Sequence, residues 1–160
     1  MMTYVCDDSL LYKAQISLAW MFEYGVNQYG YALEDFYDRF LASGIAQRFA
    51  ENDPAIVAGR SGGELAYEVL ERTEPGIHPI GQIFTMERSR EYWVGYALAY
   101  YQRQKNLNFD DITKKVPISE IQKMYYLYHE MDLTHFVLEM DRRMEEQKKE
   151  NHSFGGGVVL

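Results

Sequence analysis

Carboxylates are the most numerous charged groups in this chain, and their spacing limits what they can do. Glu64, Glu68 and Glu71 recur at i, i+4 and i+7, and Glu34, Asp35 and Asp38 fall within five residues. On helices each set lies on one face, opposite the apolar stripe. Acid–base catalysis would need burial or a close neighbour to shift their pKa values, and the flanking residues supply neither. The six read as an acidic surface. The opposite chemistry is concentrated at Arg88, Arg90, Tyr92 and Trp93. Guanidinium groups beside aromatic rings can hold an anion or stack on a planar ligand. The plainer expectation is that both arginines pair with acids of the first half while Tyr92 and Trp93 enter the core.

The remaining reactive residues are sparse. The histidines are His78, His129, His135 and His152. His129, Glu130, Asp132 and His135 lie close together, but a helical zinc pair needs i, i+4 spacing and these two histidines are six apart. Asp132 is better read as a helix N-cap, so no metal is expected. Cys6, the single cysteine, excludes an internal disulfide and reads as a partly buried structural thiol. Gly59-Arg60-Ser61-Gly62-Gly63 opens a helix beside an arginine, a geometry that can take an anion. It lacks phosphate-loop spacing, and three glutamates follow it, so a tight interhelix turn is expected. No catalytic residue and no cofactor is assigned.

The elements that must position these groups are helices. An apolar stripe of Leu11, Ala14, Leu18, Met21, Phe22 and Val26 predicts a helix over 9–29, ended by Gly30. Leu33, Phe36, Tyr37, Phe40 and Leu41 predict a second over 32–42. Ser43-Gly44 interrupts it, a short helix follows, and Asn52-Asp53-Pro54 makes a turn. Ser61 and Glu64 have capping-box spacing for a helix over 62–72. Residues 73–84, with two prolines and two glycines, read as a loop holding at most one short strand. The uncharged run Tyr92 to Tyr101 marks a central helix at about 89–104. Gly95 there costs about 1 kcal/mol of helix propensity, tolerable if another helix approaches closely. Short helices follow over 109–116 and from Ser119, the latter with Gln122 completing a capping box. A last helix starts after Asp132, with Met131 and Phe136 placed as a hydrophobic staple, and runs to about Lys149. The predicted fold is all-α, a single helical domain over 1–150 with seven or eight helices and a disordered tail over 151–160.

The length of 160 residues fits one domain, and aromatic residues reach 15%. The net charge of −8 is uneven. Residues 1–84 carry 12 acids and 5 bases, whereas 85–160 carry 12 and 11. Direct nucleic-acid binding by the first half is disfavoured, because it would need phosphate neutralisation. No apolar run approaches the roughly 20 residues of a membrane span, and the start has no basic-then-apolar leader. A cytoplasmic location is the expectation.

Three segments carry a resemblance: Phe40-Leu-Ala-Ser-Gly-Ile-Ala-Gln-Arg-Phe49, Val57-Ala-Gly-Arg-Ser-Gly-Gly-Glu-Leu-Ala66, and Arg88-Ser-Arg-Glu-Tyr-Trp-Val-Gly-Tyr-Ala-Leu-Ala-Tyr-Tyr-Gln102. Pro117-Ile-Ser-Glu-Ile121 and Tyr128-His-Glu-Met-Asp132 extend it. Together they resemble a family of short all-helical bacterial proteins found on mobile and phage-like elements. That resemblance brings no established activity and no site residues, and it implies a role in conflict systems. The expected function is therefore a non-enzymatic acidic protein that occupies a partner with a basic surface. The first form is an inhibitor of a nucleic-acid-binding defence effector, its carboxylates standing in for phosphates, in the manner of an anti-CRISPR protein. An antitoxin or regulatory partner is a close variant. A small-ligand binder or enzyme, with a pocket near Arg88–Trp93, is the alternative of another class.

Overall fold

Residues 8–83 and 88–156 are described by a computed structural model, and among them the regular structure is entirely helical. The helices are α1 (Asp8–Glu23), α2 (Leu33–Ala42), α3 (Ile45–Ala50), α4 (Pro54–Val57), α5 (Gly62–Thr73), α6 (Arg90–Lys105), α7 (Phe109–Lys115), α8 (Ile118–Tyr128) and α9 (Leu133–Gly156). Cys6 lies outside the described residues, as do 84–87 and 157–160.

α1 does not stop at Glu23. It continues through a π-turn, Tyr24–Gln28, in which the Tyr29 amide donates to the Tyr24 carbonyl at 2.8 Å. Gly30, at φ 83°, then turns the chain. The π-turn admits one extra residue and re-aims the chain beyond it. It sets Gly25 against the Phe36 ring of α2, where a Cβ would lie 2.4 Å from a ring carbon.

α6 is the central helix, antiparallel to α1: Ser89 meets Glu23, Tyr92 meets Trp20 and Gly95 meets Leu18. Tyr92, Trp93, Val94, Ala97, Leu98, Ala99 and Tyr101 are all buried. Near its midpoint is Gly95, where a Cβ would sit 2.5 Å from the Leu18 carbonyl oxygen. The backbones touch there, which is the close approach anticipated from the sequence. On another side of α1, a Cβ on Gly62 at the start of α5 would fall 2.5 Å from Trp20 Cβ and 2.6 Å from the Ser17 carbonyl oxygen. Aromatic rings fill the wedge between these helices. Phe22 meets Phe36, Tyr37 and Phe40 edge-on at 5.9–6.1 Å. Phe109 of α7 packs on Phe40, and Phe136 of α9 on Trp93, both at 5.3 Å.

Several helix ends follow their sequence signals. Asp53 accepts from the Ala55 amide ahead of Pro54, and Ser61 Oγ accepts from the Glu64 amide at 3.2 Å. Asp132 accepts from the Thr134 amide at 2.8 Å. The loop reading of 77–83 holds, and two helix expectations are corrected. Residues 77–83 form no strand, and the Ile80 and Ile83 amides bond to tyrosine hydroxyls instead. α8 opens at Ile118 behind Pro117, so Ser119 lies inside the helix and Gln122 reaches the Glu91 carboxylate at 3.2 Å. Proline presets the extended residue before a helix, and burial of Ile118 draws the first turn forward. α9 is helical to Gly156, beyond the stop expected at Lys149.

Two outcomes test this packing. Gly95→Ala should lose about 1–3 kcal/mol in denaturant unfolding despite the better helix propensity of alanine, because a backbone carbonyl occupies the methyl position. Gly81→Ala, with nothing within 4 Å, should be neutral.

A third outcome concerns acid. Hydrogen bonds from Arg142, then Arg143, lower the Glu139 carboxyl from an ordinary 4.5 to about 2, against the upward push of burial. A depressed carboxyl stabilises the fold above its unfolded pKa and loses that contribution as pH falls through the folded one. Glu139→Gln should therefore cost ~1 kcal/mol near neutral pH, screened because the arginines reach solvent. The gap to the parent should close as the pH of the unfolding assay is lowered from 4.5 to about 2.

Candidate functional site

α1 carries a second stripe besides its core face. Tyr12, Ile16, Trp20 and Tyr24 recur at strict i+4 spacing and form one continuous wall. α5 stands opposite, pinned at its first residue by the Gly62 contact, and presents Gly63, Glu64, Tyr67, Glu68, Glu71 and Arg72. Residues of the 79–83 loop and of the 57–60 segment complete the lining. The groove between α1 and α5 has a volume of about 1460 Å³. Its α1 wall is mostly rings and aliphatic surface, with Tyr12 58% exposed, and Ile80 of the loop is 37% exposed. Trp20 is fixed edge-on by Tyr92 at 5.3 Å and by Tyr24 at 6.2 Å.

The 79–83 loop is held by α1 and its π-turn. Tyr24 Oη accepts from the Ile83 amide at 2.9 Å, and Tyr29 Oη, just past the turn, from the Ile80 amide at 3.0 Å. A loop with two prolines has few internal bonds of its own, so these hydroxyls define its position.

Charge in the groove is mixed. Glu68, largely buried, lies between Arg60 and Arg72, the latter at 2.8 Å. Glu64 accepts from the Ser61 hydroxyl, where a capping box would have had it reach a backbone amide. Among the described residues neither Glu64 nor Glu71 has an ion-pair partner, and Lys13 on the facing wall has none either. Gly62 and Gly63 serve helix approach, against Trp20 and the Tyr24 ring.

The six expected acids therefore separate into two sets. Glu64, Glu68 and Glu71 line the groove, with Glu68 neutralised. Glu34, Asp35 and Asp38 are exposed on α2 and lie outside it. Asp35 is bound to Arg39 at 3.1 Å, and Arg39 also reaches Glu74 and Thr73.

The Arg88–Trp93 cluster is likewise divided. Arg88, Tyr92 and Trp93 line a smaller cavity of about 240 Å³. Burial raises the Tyr92 hydroxyl above its ordinary value while Arg88 pulls it back. Arg90 turns away, bonding Glu91 at 3.0 and 3.2 Å and the Tyr126 hydroxyl at 2.8 Å. Its expected partner among the first-half acids is replaced by its own neighbour. Asn27, delivered by the π-turn, donates to Glu23 at 2.9 Å and reaches Glu91 at 3.5 Å, and Ser89 donates to Glu23. Both glutamates are buried and fully engaged in joining α1, α6 and α8. His129 and Asp132 are similarly committed, His129 Nδ1 to the Tyr125 carbonyl at 2.7 Å and Asp132 to its cap.

The groove is absent from the expectations drawn from sequence, although its signal was present. α1 is apolar on two faces, and only one of them matches a simple core stripe. Removing the Tyr24 hydroxyl tests the loop anchor. Tyr24→Phe should cost about 0.5–1.5 kcal/mol and speed amide exchange at Ile83, with exchange in α6 unchanged.

No protein-family model matches this chain, and the comparisons with curated proteins and with solved structures give no match.

Proposed function

We propose that this protein acts by binding, taking into the α1–α5 groove a short segment of a partner protein that is apolar on one face and basic along one edge. The observation that supports this most directly is the Tyr12–Ile16–Trp20–Tyr24 wall, a row of large rings and aliphatic surface facing an open groove. Twelve residues of helix span about 18 Å, which matches about three turns of a bound helix or five to six extended residues. Tyr and Trp bury large areas with few rotatable bonds and are the residues that carry binding energy at interfaces.

Charge selects the edge. On the α5 side Glu68 holds both Arg60 and Arg72, which leaves Glu64 and Glu71 without an ion pair among the described residues to take ammonium or guanidinium groups, and these also stack on the rings opposite. Lys13 on the α1 rim opposes a segment that is basic all round. Glu34 and Asp38, exposed and without an ion pair among the described residues, extend the negative field over α2 and would speed encounter with a basic partner. An inhibitor of a nucleic-acid-binding effector would work in this way, and so would an antitoxin. Of the six carboxylates first considered, Asp35 and Glu68 are neutralised, which leaves four to stand in for phosphates.

Selection from a random displayed-peptide library tests the reading. The peptides recovered should combine Arg or Lys with aromatic or aliphatic residues, and should quench or shift Trp20 emission. Glu64→Lys with Glu71→Lys should weaken them about tenfold and flatten the salt dependence. Recovery of acidic peptides, or binding indifferent to both this pair and Trp20→Ala, would remove the groove from consideration.

A further inference from the structure

The smaller cavity lies toward the start of α6, where the first turns of that helix meet the junction of α8 and α9. Its walls are rings. Tyr92, Trp93 and Tyr96 come from α6, and Tyr125 and His129 from the end of α8. Trp93 meets Tyr125 edge-on at 5.9 Å, and the His129 ring stacks on Tyr125 at 4.2 Å and 23°. The histidine is oriented by its backbone bond: a carbonyl only accepts, so Nδ1 carries the hydrogen. Ring is thus locked to ring, and the cavity is preformed.

Arg88 stands at the rim. Its guanidinium lies 5.3 Å from the Tyr92 ring centroid, and it makes no ion pair among the described residues. The other charges near this end of α6 are already engaged. Arg90 is bound to Glu91 and the Tyr126 hydroxyl, Glu23 takes Ser89 and Asn27, and Glu130 is exposed at 3.7 Å from His129 Nε2. The α6 amide at Tyr92 is already capped by Ser89.

We propose that this cavity binds a small aromatic carboxylate, its ring among Tyr92, Trp93 and Tyr125 and its carboxylate on Arg88. Size sets the first limit. At about 30 Å³ per water, 240 Å³ holds one substituted ring and excludes a nucleotide. Charge sets the second. One guanidinium fork matches one carboxylate in charge and shape, whereas the second charge of a phosphate meets no second Arg or Lys among the described lining residues. This site is independent of the groove, which is lined by other residues of other helices.

Benzoate and its neutral isostere benzamide are suitable probes, titrated into the full-length protein and followed by NMR shift changes. Benzoate should bind saturably, with the largest shifts at Trp93, Tyr96 and His129, and benzamide about tenfold more weakly. Arg88→Gln should bring benzoate down to the benzamide level and leave benzamide unchanged. Arg88→Lys, which keeps the charge and loses the fork, should fall between. Arg142→Gln, on the exposed face of α9, should change nothing. Equal affinities for the two probes, shifts centred on α5, or benzoate binding that ignores Arg88→Gln would each overturn the proposal.

Discussion

Close approach to α1 governs this structure, and three glycines permit it. Gly25, Gly62 and Gly95 each stand where a Cβ would come within 2.6 Å of another element. Each brings a different neighbour onto α1 or its π-turn: the Phe36 ring of α2, the start of α5, and the middle of α6. At such distances backbone meets backbone or ring, and side chains elsewhere must fill whatever angles result. The aromatic wedge of Phe22, Phe36, Tyr37 and Phe40 does this between α1 and α2. The same constraint shapes the binding surface. Because α5 is pinned to α1 at its first residue, the groove opens between the two helices beyond Gly62.

The π-turn is the second consequence of packing on α1. A regular helix through residue 29 would have kept the earlier phase. Within the turn, Asn27 bonds Glu23 and reaches Glu91, and Tyr24 accepts from the Ile83 amide. Residues of this turn therefore contribute both to a buried polar junction and to the lining of the groove. Glu91 gains from Arg90 and Gln122 the partners that a buried carboxylate requires, and through Gln122 the junction extends to α8.

Charge is distributed in a way composition alone does not reveal. The arginines at 39, 48, 60 and 72 all bind carboxylates of their own half. Arg60 and Arg72 also line the groove, where Glu68 holds both of them. What remains negative is set by geometry, with Glu64 and Glu71 on the groove and Glu34 and Asp38 on α2. The two cavities divide the aromatic surplus: Trp20 serves one and Trp93 the other, while Tyr92 lies between them, edge-on to Trp20 and lining the smaller cavity.

The all-α fold, the central position of Tyr92–Tyr101, the caps at Ser61 and Asp132, and the breaks at Gly30 and Gly44 were legible in the sequence. These depend on hydrophobic period, cap chemistry and backbone freedom, which are properties of neighbouring residues. The need for small Gly95 at a helix contact was legible for the same reason. The rest depended on partners distant along the chain. Nothing near Gln122 announces a buried Glu91, so a capping box was the natural local reading. Nothing near Tyr12 or Trp20 says which of two apolar faces will be covered, because that depends on where Gly62 lets α5 touch. Arg88 precedes the Ser89 cap and Arg90 opens α6, yet only the placement of α8 gives one a cavity and the other a tyrosine. Periodicity determined which faces exist; the close contacts on α1 decided which of them are covered and which remain open to bind.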